Sequence, residues 1–347
     1  MPDQVEFEFT FERGVNLFDR PSVIGEGAVQ QLDNFEWLPN GGVVPRPAWK
    51  AAGASPTGAP ASGNRAGRGL FLRWYEAGVR KLVLALKDSG NAYSFYKTNV
   101  ADPTAFSTYT AINTALAIPA ANVNDIVRFA VGNSKLVYTS PGFPTGRLRR
   151  YDGTTADEIA VDNIAGRTIA YHLNRFWTGG GLTNPTYLRF SEIGNEAVWT
   201  VEENFIPVGQ DDLEPIEDVV IFDRGLLIAK QHSLWFLSGT DPTKARLDPI
   251  TDALGGARGK CLIPSEFGVF IIGLAGEVYL YDGAEVRPVT RNMEVELPTT
   301  GYVTGAWTHG KLYVRTSNNE RIWAYEPPPA DRWRREITQD AANGPWD

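Results

Sequence analysis

Apolar residues in this chain come in short runs rich in Val, Ile, Tyr, Phe and Trp, each cut off by Gly, Pro, Asn or Asp before a helical period can establish itself. Such runs read as β-strands. They predict strands at Leu70–Tyr75, Lys81–Leu86, Ile126–Val131, Leu136–Tyr138, Thr186–Phe190, Val219–Phe222, Leu226–Ala229, Leu234–Leu237, Val269–Ile272, Glu277–Tyr281 and Lys311–Arg315. Near the amino terminus, Val5-Glu6-Phe7-Glu8-Phe9-Thr10-Phe11 alternates apolar and polar residues strictly, which marks a half-buried strand. That strand is expected either to complete the last sheet or to add to a neighbouring subunit.

Tight turns join many of these runs. Phe129 to Leu136 turns at Gly132-Asn133-Ser134, and Phe222 to Leu226 turns at Asp223-Arg224-Gly225, residues that tolerate positive φ. Tyr151-Asp152-Gly153 and Tyr281-Asp282-Gly283 each end a strand at an Asp-Gly turn. Laid side by side, the hairpins repeat, with units opening near 66, 123, 166, 214, 256 and 300 and the last ending near 337. The period is on the order of 45 residues, the length of a four-stranded propeller blade. The repeat is one of pattern rather than of residues, clearest between Asn133-Ser134-Lys135-Leu136-Val137-Tyr138 and His309-Gly310-Lys311-Leu312-Tyr313-Val314.

A lone blade buries too little on its two faces, whereas stacked blades cover both. The chain therefore reads as all-β, a β-propeller of about six four-stranded blades over residues 66–337. Residues 1–65 form an N-terminal arm and a Gly/Pro/Ala-rich linker, because Ala51 to Gly63 has nothing to bury. Pro327-Pro328-Pro329 stops the last strand, and residues 338–347 form a short tail. Two β-sandwich domains are the alternative architecture.

Composition fits that picture and narrows the function. Ten Trp, 13 Tyr and 17 Phe supply the filling between twisted sheets. With 33 Lys and Arg against 41 Asp and Glu, the formal charge of −8 excludes a general nucleic-acid binder, which needs a basic face. The single Cys261 excludes an internal disulfide and a four-cysteine zinc site. The start of the chain has neither the basic residues nor the apolar core of a signal peptide, so secretion is not expected. The longest apolar runs, such as Val269 to Ala275, fall far short of the roughly 20 residues a bilayer demands, and no membrane partner is expected.

Candidate chemistry is sparse. Gly255-Gly256-Ala257-Arg258-Gly259-Lys260-Cys261 has the look of a phosphate loop. However, Leu254 stands where its first Gly belongs and Cys261 replaces the magnesium-binding Ser or Thr. Gly63-Asn64-Arg65-Ala66-Gly67-Arg68-Gly69 lacks the strand and helix of a dinucleotide cradle. It reads as a loop whose Arg65 and Arg68 can meet carboxylates or phosphates. No Gly-x-Ser-x-Gly elbow is present, and the Ser-x-Asp-x-Gly-x-x-Trp repeat of sialidase-type propellers is missing. The run Asp211-Asp212-Leu213-Glu214-Pro215-Ile216-Glu217-Asp218 has the acids for a calcium ion but is read as a solvated loop. His172 and His232 sit beside apolar strand residues and are read as structural, and His309 lies far from both in sequence. No catalytic residue, metal ligand or cofactor is assigned.

One stretch is more specific. Tyr187-Leu188-Arg189-Phe190-Ser191-Glu192-Ile193-Gly194-Asn195-Glu196-Ala197-Val198-Trp199, followed by Asn204-Phe205-Ile206-Pro207-Val208-Gly209, resembles a signature of β-propeller structural proteins of tailed bacteriophages. The next segments keep that family's order. Phe222 to Lys230 stands at its "Phe-Arg-Asp-x-Leu-Leu-Val-Phe-Lys" strand pair. Ser233-Leu234-Trp235-Phe236-Leu237-Ser238-Gly239-Thr240-Asp241-Pro242 is similar to its "Ser-Ile-Trp-x-Leu-x-Gly-x-Asp-Pro", and Val278 to Val286 to its "Gly-Val-Tyr-x-(Tyr/Phe)-Asp-Gly-x-x-Val". Gly14-Val15-Asn16 and Asn34 to Pro47 are similar to its opening, although Ala48 follows where Gly is usual and Gly276-Glu277 interrupts the later motif.

What the resemblance implies is a virion component of the tail or head-to-tail junction, nozzle- or hub-like, with no enzymatic activity. The expected partners are further copies in a hexameric ring, neighbouring adaptor, spike or fibre proteins, and duplex DNA passing without sequence-specific binding. Synthesis would occur in the bacterial host cytoplasm. In that setting the acidic balance would let DNA slide past without sticking. A tail-borne receptor- or glycan-binding propeller, or a glycosidase-type one, is the alternative.

Overall fold

The computed structural model describes residues 66–87, 92–98, 109–117, 126–289, 302–316, 321–327 and 332–337, with short strand segments at Gly14–Val15, Ala28–Val29, Phe35–Trp37 and Val43–Pro45. The Val5 to Phe11 strand, the Ala51 to Gly63 linker and the 338–347 tail lie outside the described residues. Among the described residues the regular structure is β-strand, with three short 3-10 turns.

The strands form a six-bladed β-propeller in which each sheet contains four consecutive strands in chain order. Blade 1 comprises Ala66–Glu76, Val79–Lys87, Ala92–Thr98 and Tyr109–Ala117. Blade 2 comprises Arg128–Gly132, Lys135–Thr139, Arg149–Tyr151 and Ala156–Glu158. Blade 3 comprises Thr168–His172, Arg175–Gly179, Tyr187–Phe190 and Phe205–Pro207, and blade 4 Asp218–Phe222, Gly225–Ala229, Leu234–Ser238 and Arg246–Thr251. Leu262–Ser265, Gly268–Ile272, Val278–Tyr281 and Val286–Pro288 make blade 5. Val303–Thr308, Lys311–Thr316, Arg321–Glu326 and Arg332–Ile337 run together in blade 6. The chain divides into two compact units, one of residues 51–264 and one of 265–346 with 1–50.

The same local chemistry opens most blades. The first two strands are joined by two-residue turns, as the pairs Glu76–Val79, Gly132–Lys135, His172–Arg175, Phe222–Gly225 and Thr308–Lys311 show. Ala77 and Gly78, Asn133 and Ser134, Leu173 and Asn174, and His309 and Gly310 all have positive φ. That is type I′ geometry, whose twist matches the right-handed twist of the strands it joins. The Asp-Gly turns are likewise equivalent in blades 2 and 5. Asp152 accepts from the amides of Thr154 and Thr155, and Asp282 from those of Ala284 and Glu285, while Tyr151 and Tyr281 donate to the carbonyls of Gly153 and Gly283. These amides hold both aspartates below the usual carboxylate range.

Within residues 51–264, first strands of successive blades lie against one another, so they are the inner strands. Aromatic side chains fill the seams. Phe95 of blade 1 meets Tyr138 of blade 2 at 4.7 Å between ring centroids, and Trp199 of blade 3 joins the same core. Trp177 and Leu188 of blade 3 pack with Val219, Leu226 and Ile228 of blade 4. Each such fully buried side chain contributes about 1.5–3 kcal/mol relative to exposure. Gly132 is required where blades 2 and 3 meet, because a Cβ there would lie 2.2 Å from the Tyr171 ring. In the second unit Phe270 stacks on Trp307, with centroids 5.4 Å apart, and meets Tyr325 edge-on.

A polar latch reinforces the seam between blades 1 and 2. Lys97 Nζ donates to Glu76 Oε2 at 2.7 Å and to the Tyr151 hydroxyl at 2.5 Å and lies 5.0 Å from the Tyr151 ring centre, while Trp74 Nε1 donates to Glu76 Oε1 at 2.7 Å. Burial alone would lower the Lys97 pKa, but the hydrogen bonds to Glu76 and Tyr151 outweigh it and leave the pKa raised above 10.5. A raised lysine pKa stabilises the folded state below the unfolded value and loses that stability as pH climbs through the folded one. Lys97→Met should therefore cost about 1–3 kcal/mol at neutral pH. In urea melts the gap to wild type should close as pH rises beyond 10.5, and a gap constant across that range contradicts the latch.

Candidate functional site

Among the described residues, a group of buried charges converges where the inner strands of blades 2 to 5 begin. Arg128, Thr168, Asp218 and Leu262 are each the first residue of their blade's first strand, so the repeat brings them together although Arg128 and Asp218 are 90 positions apart. Asp218 is the centre of the group and is fully buried. Its Oδ1 accepts from Arg128 Nη2 at 2.6 Å, from the Thr168 hydroxyl at 3.0 Å and from the Val219 amide at 2.9 Å, and its Oδ2 accepts from the Leu262 amide at 3.0 Å. One carboxylate thus ties four blades. A buried charge is tolerable only when paired and hydrogen-bonded, and here both oxygens are engaged.

Three other acids of the run are paired as well. Glu217, also fully buried, pairs with Arg167 and accepts from Gln231 Nε2 at 3.1 Å. Asp212 pairs with Lys230, whose buried ammonium also donates to the carbonyls of Val208 at 3.0 Å and Gly209 at 2.8 Å. All three of that lysine's donors are therefore used. Glu214 meets His232 at the surface. The expectation of a solvated acidic loop therefore holds at most for its outer members. Glu217 and Asp218 turn inward because strand geometry places them at the blade seams, where Arg128 and Arg167 neutralise them.

Other sequence candidates are spread through the fold. The glycine-rich loop before Cys261 is a packing element. The Gly256 amide donates to the Lys230 carbonyl at 2.7 Å, and a Cβ on Gly256 would lie 2.3 Å from Cys261 Sγ. Cys261 is fully buried, and its thiol pKa is pushed well up by burial and then by the Asp218 and Glu217 charges, the opposite of what a nucleophile needs. His172 is half-buried in blade 3, His232 is exposed near blade 4, and His309 forms the exposed turn of blade 6. Arg68 is half-buried at the start of blade 1, and Arg65 lies outside the described residues. Among the described residues no group of three or more His, Cys, Asp or Glu is arranged to hold a metal ion.

The motifs that carry the resemblance sit at turns and seams. The Ser191 hydroxyl accepts from the Phe176 amide at 3.0 Å, Asn195 N donates to the Glu192 carbonyl at 3.2 Å, and Gly194 has φ +66°. Trp199 turns back into the core between blades 2 and 3, with its indole N–H on the Glu196 carbonyl at 2.8 Å. Trp235 packs on the blade 3–4 core and donates to Ser233 Oγ at 2.9 Å, and Asp241 caps the Pro242–Lys244 turn through the Thr243 amide at 3.0 Å. Arg128, Arg167, Thr168 and Lys230 were missed as a group by sequence reasoning. The available signal was a charged or hydroxyl residue abutting each end of an apolar run.

No protein-family model matches this chain, and no curated protein does. Among solved structures the chain is similar to the C-terminal WD40 domain of Sif2, with 10% identity, 82% of this chain and 75% of that one covered, and a TM-score of 0.44. It is also similar to YCF48 bound to D1 peptide, with 10% identity, 67% and 71% covered, and a TM-score of 0.43.

If Asp218 ties four blades, Asp218→Ala strands the buried Arg128 guanidinium and should cost about 3–5 kcal/mol in denaturant melts. Combining it with Arg128→Met should cost less than the two single losses added together. A single-variant loss below about 1 kcal/mol, with strict additivity, contradicts the hub.

Proposed function

We propose that this chain is a structural subunit of a tailed-bacteriophage virion, in the tail or head-to-tail junction, where it forms a homo-oligomeric ring around the path of DNA. The observation that carries this reading is the ordered series of motifs from Gly14 to Val286, which resembles that of β-propeller structural proteins of tailed bacteriophages. The described members of that series build blade turns and seams, the role expected of residues that specify a scaffold.

The charged groups also support it. Asp218, Glu217, Lys230, Arg128 and Arg167 are committed to ties between blades or between loops, and the Cys261 thiol is held protonated. Enzymes instead arrange such groups to face a substrate with pKa values tuned to its chemistry. A formal charge of −8 suits a wall that duplex DNA must pass without adhering.

A tail-borne glycan-binding role is the second reading, favoured by one feature. Phe267, 43% exposed, meets Trp307 at 87° between ring planes, and Trp307 Nε1 donates to Glu266. An exposed aromatic corner beside a carboxylate can stack on a sugar face.

Sedimentation of the purified chain, followed by negative-stain imaging and a glycan array, separates the two. The structural reading expects closed rings of about six copies and no glycan retained. A monomer that captures glycans, with capture lost in Trp307→Ala, overturns it.

A further inference from the structure

Two neighbouring residues at the turn end of the blade 3 inner strand serve its two seams. Tyr171 faces blade 2, with its ring over Gly132 and its hydroxyl 2.5 Å from Asn133 Oδ1. His172 faces blade 4, its ring against the backbone of Arg224 in that blade's first turn. The His172 carbonyl accepts from Trp177 Nε1 at 3.1 Å, and Trp177 belongs to the core made jointly by blades 3 and 4. Strand alternation thus turns the imidazole to the blade 4 side, opposite Tyr171.

His172 Nε2 is buried and makes no hydrogen bond. A neutral imidazole bears this at modest cost, since one ring nitrogen is only an acceptor left unfilled. An imidazolium carries N–H on both nitrogens and would bury a charged donor with nothing to receive it, which is far more costly. The charged groups on the elements around it are Arg175, its cross-strand pair, which is 3.6 Å from Glu192, and Asp223 and Arg224 of the neighbouring turn.

We propose that His172 is an acid-sensitive latch on the seam between blades 3 and 4. Protonation drives the ring out of its site and uncovers the turn end of the Trp177 core, while the Tyr171 side of the same strand stays in place. Burial holds the His172 pKa below the ordinary 6.5, partly offset by the Arg224 backbone. The sign follows from linkage. The unfolded chain takes up the proton first, so the latch is fully closed above 6.5 and weakens as pH falls below it.

Hydrogen exchange, corrected for intrinsic rates, tests this in wild type and in the permanently neutral His172→Gln. Between pH of about 7 and about 5, protection of amides in Phe222–Gly225 should fall about tenfold more in wild type than in the variant. The Gly132–Lys135 turn should be unaffected in both. Parallel loss in the two proteins overturns the latch. So does a wild-type His172 ring that titrates at or above 6.5 by NMR, a result that needs no variant.

Discussion

A four-stranded sheet with apolar side chains on both faces cannot persist in water until another sheet covers each face. That constraint organises this molecule. The inner strands of blades 2, 3 and 4 carry residues such as Ala130, Ile169 and Val219 whose burial depends on a neighbouring blade. Yet hydrophobic burial is non-directional and by itself sets only loosely how far one blade slides along another. The buried carboxylate of Asp218 supplies that register, because its bonds to Arg128, Thr168 and the Leu262 amide are satisfied in only one alignment.

Buried ion pairs of this type add little net stability compared with apolar replacements, but they penalise misalignment severely. The molecule spends its most strongly interacting groups on geometry. Lys230, with three acceptors in the Val208 to Asp212 loop, fixes the connection between blades 3 and 4 in the same sense. Among the described residues, large apolar side chains such as Leu70, Leu182, Ile193 and Leu213 remain exposed, as does the aromatic edge of Phe267.

The fold was largely legible in the sequence because its signals are local. Short apolar runs and positive-φ turn residues act within a few positions, so Leu136 to Tyr138 and Leu226 to Ala229 could be placed before any contact was known. The Asp152 and Asp282 turns were legible for the same reason. The hub was not, since Arg128 and Asp218 lie 90 positions apart and Arg167 and Glu217 lie 50 apart, and nothing local pairs them. The acidic run misled in its second half: crowded acids between Pro and Gly signals usually remain solvated, but Asp218 leads directly into Val219-Val220-Ile221, and a charge fused to an apolar strand is carried inward with it.

At neutral pH, with the His172 latch closed, register fixed by one shared carboxylate makes the starts of the inner strands joined at Asp218 open together. Native-state hydrogen exchange at neutral pH, followed through low denaturant over residues 126–264, tests that dependence most directly. The account predicts a single opening free energy for the amides of Phe129–Val131, Ile169–Tyr171, Val219–Ile221 and Leu262–Ile263. Blade 4 amides that exchange through a separate, lower-energy opening while blades 2 and 3 remain protected would contradict it.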